Sequence, residues 1–401
     1  MAHEISPALA AQAAHQLQHP ELKKTLNQLI DASPHSPVSI STALHPACQM
    51  LGHSLRVHQD AALSVSQYFS VALQQYSVAT EVIARLADRC PQPRILDFAC
   101  GYGRLLNLLT QQIPAERIWA SEIQPEAVRF VVDQFGVQGL QSSADPDQFN
   151  PGQTFDLIWV VSLFSHLPPG LFERWLRRLS ELLSPGGILL FSVHDEALLT
   201  AADPVLPESG VLYIEGSEND ALDKTIYGTT FVSESFVQRA IASTLGADRH
   251  FLRCPRLINH EQDAYLIGGP ANPDLSAFQA IPRGLRGWVD EFSIDDHGQL
   301  TLAGWAGSMD AEEAVELEIL LDNQPQDCTM GEPKPEVARV LGLPHLVDSG
   351  WSALLQLPGD GEEAYLTVLV RNRQGRRALI YAGAVQCADR ASGQGGIPLR
   401  Q

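Results

Sequence analysis

The sequence is short of positive charge and contains no long apolar run. Lys and Arg number 27 against 47 Asp and Glu, which gives a formal net charge of −20. A field of that sign repels a phosphate backbone, so a nucleic-acid partner is disfavoured. No apolar stretch reaches the ~18 residues that a membrane-spanning helix needs, which disfavours a membrane partner.

Paired cysteines are also lacking. The six cysteines are scattered, with neither a Cys-x-x-Cys pair nor the spacing of metal ligands. They are typical of free thiols in a reducing compartment, and no metal site is expected. The first residues lack the basic and apolar regions of a secretory signal. These features predict a cytoplasmic protein and leave its oligomeric state open.

The most informative stretch is 94–104, RILDFACGYGR, in which a short apolar run leads to an acidic residue and a Gly-x-Gly turn. Glycine tolerates positive φ and lets the backbone approach a ligand closely, which suits Gly101 and Gly103 to such a turn. Leucines at helical spacing follow. The stretch therefore predicts a buried strand that feeds a helix, with the unpaired N–H groups of that helix facing a pocket.

Strand and helix segments alternate after this turn, which predicts a parallel sheet flanked by helices. Glu122 ends the second strand beside the glycine turn, where a doubly wound sheet places its ligand. The predicted strands after the first are 118–123, 139–145, 155–161, 188–193, 249–254 and 264–268, the last two forming an antiparallel hairpin.

Four features of the sequence, in order, resemble those of the class I S-adenosylmethionine-dependent methyltransferases. They are the stretch 94–104, the acidic end of the second strand, SLFSHLP at 162–168 and SPGG at 184–187. Motif I of that family is an acidic residue followed by Gly-x-Gly-x-Gly, and Ala99 replaces the first glycine here. The resemblance implies a Rossmann-like seven-stranded α/β sheet and S-adenosyl-L-methionine as the cofactor.

The resemblance also implies a set of cofactor-binding residues at the carboxyl ends of the strands. Glu122 would accept hydrogen bonds from the ribose hydroxyls, and Asp97 would meet the methionine amino group directly or through water. Asp145 would meet the adenine amino group, or would be only an exposed turn aspartate. The other positions expected to contact the cofactor are Ala99, Cys100, Gly101, Gly103, Arg104, Ile123, Ser162 and Phe164.

His166 and His194 are the candidate catalytic residues, because both follow adjacent strands and histidine titrates near neutrality. A sulfonium methyl group is already activated, so alignment of the nucleophile matters most. Each histidine could be the base, or could instead orient the substrate or stabilise the fold. Asp195 and Glu196 follow His194, but three consecutive residues rarely converge on one metal ion.

The end of the chain changes character. Apolar and polar residues alternate at period two between turns, which predicts an all-β sandwich of about 100 residues. It faintly resembles modules appended to bacterial glycan-modifying enzymes, through GWA at 304–306, PEVA at 335–338 and GW at 350–351. Three tryptophans of this module form either a sugar-stacking platform or part of a buried core.

We therefore expect an N-terminal helical segment and cap, a methyltransferase domain, a linker, a β-sandwich module and a flexible tail. Their predicted bounds are 1–90, 91–270, 271–284, 285–390 and 391–401. The predicted function is methyl transfer from S-adenosylmethionine to oxygen on a small molecule or glycan. The alternatives are N- or C-methylation of a metabolite, and a non-catalytic cofactor-binding or interaction protein. Retention of Asp97, Gly101, Gly103 and Glu122 speaks against the last.

Overall fold

The computed structural model describes residues 4–30, 38–200, 202–216, 223, 225–359 and 362–386. The chain forms two compact units. Residues 75–282 form the first, the sheet unit, and residues 1–74 with 283–401 form the second, the sandwich unit. The sequence analysis assigned 1–90 to one N-terminal segment, whereas the compact units divide it after Gln74. The predicted tail, 391–401, lies outside the described residues.

Helices and strands alternate through the sheet unit, whereas the sandwich unit combines the N-terminal helices with the C-terminal strands. The helices are α1 (Pro7–Gln18), α2 (Pro20–Gln28), α3 (Gln49–His58), α4 (Ala61–Ala87), α5 (Leu106–Leu109), α6 (Pro125–Phe135), α7 (Pro169–Glu181), α8 (Glu234–Leu245) and α9 (Pro335–Leu341). The strands are β1 (Ile95–Phe98), β2 (Ile118–Glu122), β3 (Gln138–Gln141), β4 (Phe155–Val160), β5 (Leu183–Asp195), β6 (Val211–Ile214), β7 (Thr229–Val232), β8 (Phe251–Ile258), β9 (Gln262–Gly268), β10 (Leu285–Ile294), β11 (Gln299–Ser308), β12 (Val315–Leu321), β13 (Gln324–Gln326), β14 (Thr329–Glu332), β15 (Gly350–Gln356), β16 (Glu363–Asn372) and β17 (Arg377–Gln386). No helix in the described part of the chain is both long and apolar enough to cross a membrane.

A doubly wound sheet forms the centre of the sheet unit. Strands β3, β2, β1, β4 and β5 lie side by side in that order and run parallel. Strand β9 pairs antiparallel with β5, and β8 pairs antiparallel with β9. These seven strands confirm the predicted Rossmann-like methyltransferase sheet and its closing hairpin. Apolar residues on both faces explain why β4 and β5 are buried between helices.

A second hairpin, β6–β7, was not predicted. Strand β7 joins the carboxyl end of β5 through two residue pairs only, His194 with Phe231 and Asp195 with Val232. Strand β6 pairs antiparallel with β7. Both strands are four residues long and lie in a segment rich in turn residues. They were not predicted because the segment shows no clear alternation of apolar and polar residues.

The helix predicted after the glycine turn is only one turn long. Residues 101–105 form turns, and α5 spans four residues. The leucines are buried as their spacing predicted, but the positive φ of Gly103 (80°) delays the start of the helix. The expectation that a helix N-terminus faces the pocket is therefore wrong, because the residues directly after β1 form turns.

The sandwich unit contains two four-stranded antiparallel sheets within the described residues. One has the order β10, β11, β15, β14 and the other β13, β12, β16, β17. Leu300 and Leu302 of the first sheet share a buried cluster with Val368 and Val370 of the second. This shared core confirms the predicted all-β architecture.

Helices α1 and α4 also pack in the sandwich unit, against β17. The Gln16 side chain accepts a hydrogen bond from the backbone N–H of Ala384 (2.8 Å) and donates one to its carbonyl (3.0 Å). The Ser66 hydroxyl bonds the backbone of Ala382 in the same two ways, at 2.9 and 3.0 Å. The N-terminal helices thus satisfy backbone groups of this strand and belong to the core of this unit.

The tryptophans of the sandwich are part of its core. Trp288, Trp305 and Trp351 expose 8%, 1% and 0% of their surface. A platform that stacks on a sugar needs an accessible ring face, so the sugar-stacking alternative is wrong. Gly304 explains how the rings fit, because a Cβ on it would lie 1.9 Å from the Trp288 carbonyl oxygen and 2.9 Å from the Trp351 ring.

We expect Gly304→Ala to destabilise the sandwich unit by about 2 kcal/mol or more, because the added methyl group meets backbone that cannot move aside. Gly359→Ala is the matched control, since a Cβ there meets open space, and its effect should stay within about 0.5 kcal/mol. Urea unfolding of the full chain measures both. Equal midpoints for the two variants would contradict the packing described.

Candidate functional site

The candidate site lies at the edge of the sheet where β1, β2, β4 and β5 all end. Because these strands are parallel, their carboxyl ends meet at one edge. Asp97 is the penultimate residue of β1, and Glu122 is the last residue of β2. Ser162 follows β4 by two residues, and His194 is the penultimate residue of β5. The topology therefore brings these four predicted residues to one edge.

Glu122 holds the glycine turn against the end of β2. Its Oε2 accepts a hydrogen bond from the backbone N–H of Gly101 (3.0 Å). Its Oε1 accepts bonds from the backbone N–H groups of Ile123 (2.7 Å) and Gln124 (3.3 Å). Burial raises the pKa of Glu122, and these three donors oppose that rise. The carboxylate is thus oriented before any ligand arrives.

The two glycines of the turn have different roles. Gly101 has a φ of 55° and a Cβ on it would meet open space, so the backbone here faces an unfilled region. Gly103 has a φ of 80°, and a Cβ on it would lie 2.5 Å from the Phe135 ring of α6. Gly103 therefore allows close packing of the turn on α6, while Gly101 leaves room for a ligand to approach.

Asp97 is a buried carboxyl between two strands. It pairs with Ala120 of β2 on one side and Trp159 of β4 on the other, and it exposes 5% of its surface. Burial, together with the nearby Glu122, raises the pKa of Asp97 to about 7, and Arg104 opposes the rise. Such a group changes charge near neutral pH, which is a frequent property of binding and catalytic sites.

Two residues at this edge have left-handed backbone conformations although they are not glycine. Ala99 follows β1 and has a φ of 60°. Ser162 follows β4 and also has a φ of 60°. Such a conformation costs about 1–2 kcal/mol for a residue with a Cβ, and strained residues concentrate at functional sites. Both lie at the ends of neighbouring strands, which supports a ligand site between them.

A buried polar network extends the site from β4 to β9. The Ser162 N–H donates to the Ser192 hydroxyl (2.8 Å), and that hydroxyl donates to Oε1 of Gln262 (2.6 Å). Nε2 of Gln262 donates to the Ser162 hydroxyl (3.0 Å) and approaches Nε2 of His194 (3.3 Å). The sequence analysis missed Ser192 and Gln262, because neither lies in a motif and only the pairing of β5 with β9 brings them together.

The two predicted catalytic histidines lie side by side. Their ring centroids are 6.1 Å apart. Nδ1 of His166 is 2.7 Å from the Gly228 carbonyl oxygen, and its ring stacks on Tyr227 at 4.7 Å. Burial and the adjacent His166 lower the pKa of His194 to about 4, so His194 is neutral at physiological pH. Tyr227 was not predicted, because it precedes the unexpected strand β7.

Phe164 and Asp145 lie apart from the polar side chains of this edge. Phe164 is fully buried, with its ring centroid 4.7 Å from that of Phe172 and 4.6 Å from that of Phe191. We expected Phe164 to contact the cofactor, but it is a core residue. Asp145 caps the turn that follows it and accepts a hydrogen bond from Arg174 (2.5 Å). The turn-aspartate alternative therefore describes its observed contacts.

The remaining predicted cofactor residues belong to the turn or adjoin it. Cys100, Arg104 and Ile123 are half-buried. Burial, with Asp97 and Glu122 nearby, raises the pKa of the Cys100 thiol well above its usual value. That thiol therefore stays protonated at neutral pH.

Asp195, beside His194, forms an ion pair with Arg253. Its Oδ2 accepts a hydrogen bond from Arg253 (2.9 Å), which also bonds Asp263 (2.7 Å). Across the described residues, no group of three or more His, Cys, Asp or Glu side chains could hold a metal ion.

We expect Ala99→Gly to raise the free energy of unfolding by about 0.5–1 kcal/mol, because glycine adopts a φ of 60° without steric cost. Ala242→Gly, on the exposed face of α8, is the control and should lower it by about 1 kcal/mol. Chemical denaturation measures both. A loss of stability in Ala99→Gly as large as in the control would show that residue 99 is not strained.

We expect Asp97→Asn to stabilise the protein more at pH 8 than at pH 5. The raised pKa of Asp97 means that the folded state binds its proton more tightly than the unfolded chain does. Stability therefore falls as pH rises from the ordinary aspartate pKa towards 7, and the substitution removes that fall. The difference between the two pH values should be on the order of 2 kcal/mol. Asp133→Asn, exposed on α6, is the control, and a pH-independent effect of Asp97→Asn would contradict the buried charge.

Part of the sheet unit is similar to known proteins. Residues 71–224 match the family model described as a methyltransferase domain. The trans-aconitate 2-methyltransferase of Streptomyces avermitilis is 31% identical over 134 residues, which cover 32% of this chain and 49% of that protein. The malonyl-[acyl-carrier protein] O-methyltransferase of Herminiimonas arsenicoxydans is 31% identical over 130 residues, 32% of this chain and 47% of that protein. The resemblance of the sequence to methyltransferases is thus confirmed for this region.

These matches are partial. The chain spans about half the length of the curated relatives it matches. Among solved structures, an S-adenosylmethionine-dependent methyltransferase from Clostridium acetobutylicum aligns over 48% of this chain and 91% of its own, with 16% identity and a TM-score of 0.36. A TM-score of that size is too low to bear on function.

Proposed function

We propose that this chain, whose residues 71–224 match a methyltransferase domain, transfers a methyl group from S-adenosylmethionine to an oxygen atom of a small molecule or glycan. One observation carries the proposal. The buried carboxyl of Asp97 and the half-buried carboxyl of Glu122 lie at the carboxyl edge of a parallel sheet, where Glu122 bonds the open glycine turn. A ligand with a sugar and a cationic end would satisfy both carboxyls there.

The residues at the glycine turn suit this cofactor. Glu122 has hydrogen-bond acceptors for ribose hydroxyls, and its orientation is fixed by three backbone donors. Asp97 would attract the amino group of the methionine end, because an adjacent cation favours its charged form. The open space at Gly101 leaves room for the adenosyl group. When bound, the cofactor supplies an activated methyl group, and the protein supplies alignment.

The acceptor would lie against His166, His194 and Tyr227. A base near an acceptor hydroxyl takes its proton as the new bond forms, and neutral histidine can do so near pH 7. An oxygen acceptor is also the one named in the malonyl-[acyl-carrier protein] O-methyltransferase, which resembles this chain. A carboxylate acceptor would need no base, only orientation by the two rings.

Two alternatives remain distinct from this proposal. Transfer to nitrogen or carbon of a metabolite would use the same cofactor residues. A non-catalytic binder would keep the cofactor site and lack an acceptor. The buried, strained and polar residues beside the glycine turn favour an enzyme, because a binding module has no need of the second cluster around His194.

We expect Gly101→Arg to weaken binding of S-adenosylhomocysteine at least tenfold, because the side chain would fill the open space beside the turn. Gly152→Arg is a matched control, since Gly152 also has a positive φ (70°) and open surroundings but precedes β4 at the opposite edge of the sheet. Calorimetry on the full chain measures both. Equal affinities would remove the proposed cofactor site.

The acceptor is tested separately by transfer of a labelled methyl group. Lysate metabolites and glycans are incubated with the protein and methyl-labelled S-adenosylmethionine, and the labelled product is identified by mass spectrometry. We expect label on oxygen, and none with the Gly101→Arg variant. Label on nitrogen, carbon or sulfur would overturn the oxygen assignment, and cofactor binding without any transfer would favour the non-catalytic alternative.

A further inference from the structure

One ring nitrogen at the site has no partner. Nδ1 of His194 is buried, and it has no hydrogen-bond partner among the described residues. A buried polar atom without a partner costs about 1–3 kcal/mol, so each such atom calls for a physical reason. The other ring nitrogen, Nε2, lies 3.3 Å from Nε2 of Gln262. Whether Gln262 donates to Nε2 or accepts from it therefore decides whether Nδ1 of neutral His194 carries the proton.

The orientation of the Gln262 amide follows from Ser192. The Ser192 hydroxyl already accepts the Ser162 N–H (2.8 Å), so its own hydrogen is available to a further acceptor. The nearest atom of Gln262 lies 2.6 Å away, a separation typical of O–H···O and shorter than is usual for N–H···O. That atom is therefore the amide oxygen. The amide nitrogen then faces the Ser162 hydroxyl and Nε2 of His194.

We infer that Gln262 is a positioning residue that holds His194 as the neutral Nδ1–H tautomer, so that His194 presents a hydrogen-bond donor to an oxygen atom of the acceptor. The inference rests on the proposed function and deepens it. An amide N–H donates to Nε2, so Nε2 carries the lone pair and the proton resides on Nδ1. His194 therefore orients the acceptor and does not act as the base.

His166 has the same tautomer, but a different partner fixes it. Its Nδ1 lies 2.7 Å from the carbonyl oxygen of Gly228, and a carbonyl only accepts. The proton of neutral His166 is therefore on Nδ1, and its lone pair is on Nε2. The two rings, 6.1 Å apart, differ in which nitrogen the protein holds: Nδ1 of His166 bonds the Gly228 carbonyl, and Nε2 of His194 faces Gln262.

The surroundings of His194 keep it neutral. Phe231 of β7 lies on one side at 5.5 Å, and Gln262 of β9 is an uncharged neighbour. The next residue along β5, Asp195, is held by Arg253. Burial and His166 both disfavour a positive charge on the ring. A neutral donor in a dry site binds an oxygen lone pair and leaves a protonated amine unsatisfied.

The tautomer is measured directly in the full chain labelled with ¹⁵N-histidine. Two-bond ¹H–¹⁵N correlation spectra show which ring nitrogen carries the proton, and the His194 signals are assigned by their absence in His194→Gln. We expect neutral His194 with the proton on Nδ1 between pH 6 and pH 8, as the pKa of about 4 requires. A proton on Nε2, or a charged ring at pH 7, would overturn the inference.

Gln262→Glu tests the positioning role. A carboxylate only accepts, so the His194 proton should move to Nε2 and its pKa should rise. Gln153→Glu, in the loop before β4, adds the same charge at the opposite edge of the sheet and should change nothing. If the tautomer is unchanged in Gln262→Glu, Gln262 does not determine where the His194 proton lies, and the positioning role is overturned. If that variant does not fold, Gln262→Ala, which removes the amide without adding charge, should give a mixture of tautomers, and an unchanged spectrum would overturn the role.

Acetate and methylammonium test the kind of atom that His194 binds. With S-adenosylhomocysteine present, we expect acetate to shift the Nδ1 resonance of His194 and methylammonium to leave it unchanged. A shift with methylammonium, or none with acetate, would overturn the oxygen assignment. Cofactor binding is measured separately by calorimetry, so failure of the proposed cofactor site and failure of the tautomer assignment give different results.

Discussion

The candidate site depends on the contact between the Glu122 carboxylate and the backbone N–H of Gly101, at 3.0 Å. This hydrogen bond joins the end of β2 to the turn after β1, so the turn cannot move without the strand. A charged acceptor strengthens such a bond, and burial strengthens it further. The same burial makes the charge of Asp97 costly. A site that keeps the Asp97 carboxyl out of water gives up stability, which a cationic ligand would restore.

The part of the site around Ser162 and His194 consists of uncharged polar groups. Ser162, Ser192 and Gln262 form hydrogen bonds with one another that satisfy most of their polar atoms. Nδ1 of His194, beside them, has no hydrogen-bond partner among the described residues. A fully bonded network of this kind fixes the rotamers of its members. Ser162 also has a left-handed backbone, which the bond to Ser192 helps to hold. Rigid polar side chains next to the carboxyls of Asp97 and Glu122 would suit the proposed transfer, because alignment is most of what methyl transfer requires.

Much of the fold and part of the site could be predicted from the sequence. Buried strands such as β4 are continuous apolar runs, and glycine at 101 and 103 identifies the turn because few other residues adopt those φ angles readily. Phe164 could not be distinguished from a ligand contact, since an aromatic beside a strand end suits either role until its neighbours are known. Gln262 gave no signal at all, because its function comes from a strand pairing about 70 residues from His194 along the chain.

The hairpin β6–β7 is attached to the sheet through only two residue pairs, at His194 and Asp195. Its backbone also contributes the Gly228 carbonyl that orients His166. Thr230 of the hairpin also donates hydrogen bonds to the carbonyl oxygens of Ser165 (2.8 Å) and Leu167 (2.6 Å), so the hairpin holds the segment after β4 as well. A change in the sequence or length of this hairpin would therefore alter the surroundings of His166 and His194 together, while strands β1 to β5 keep their order.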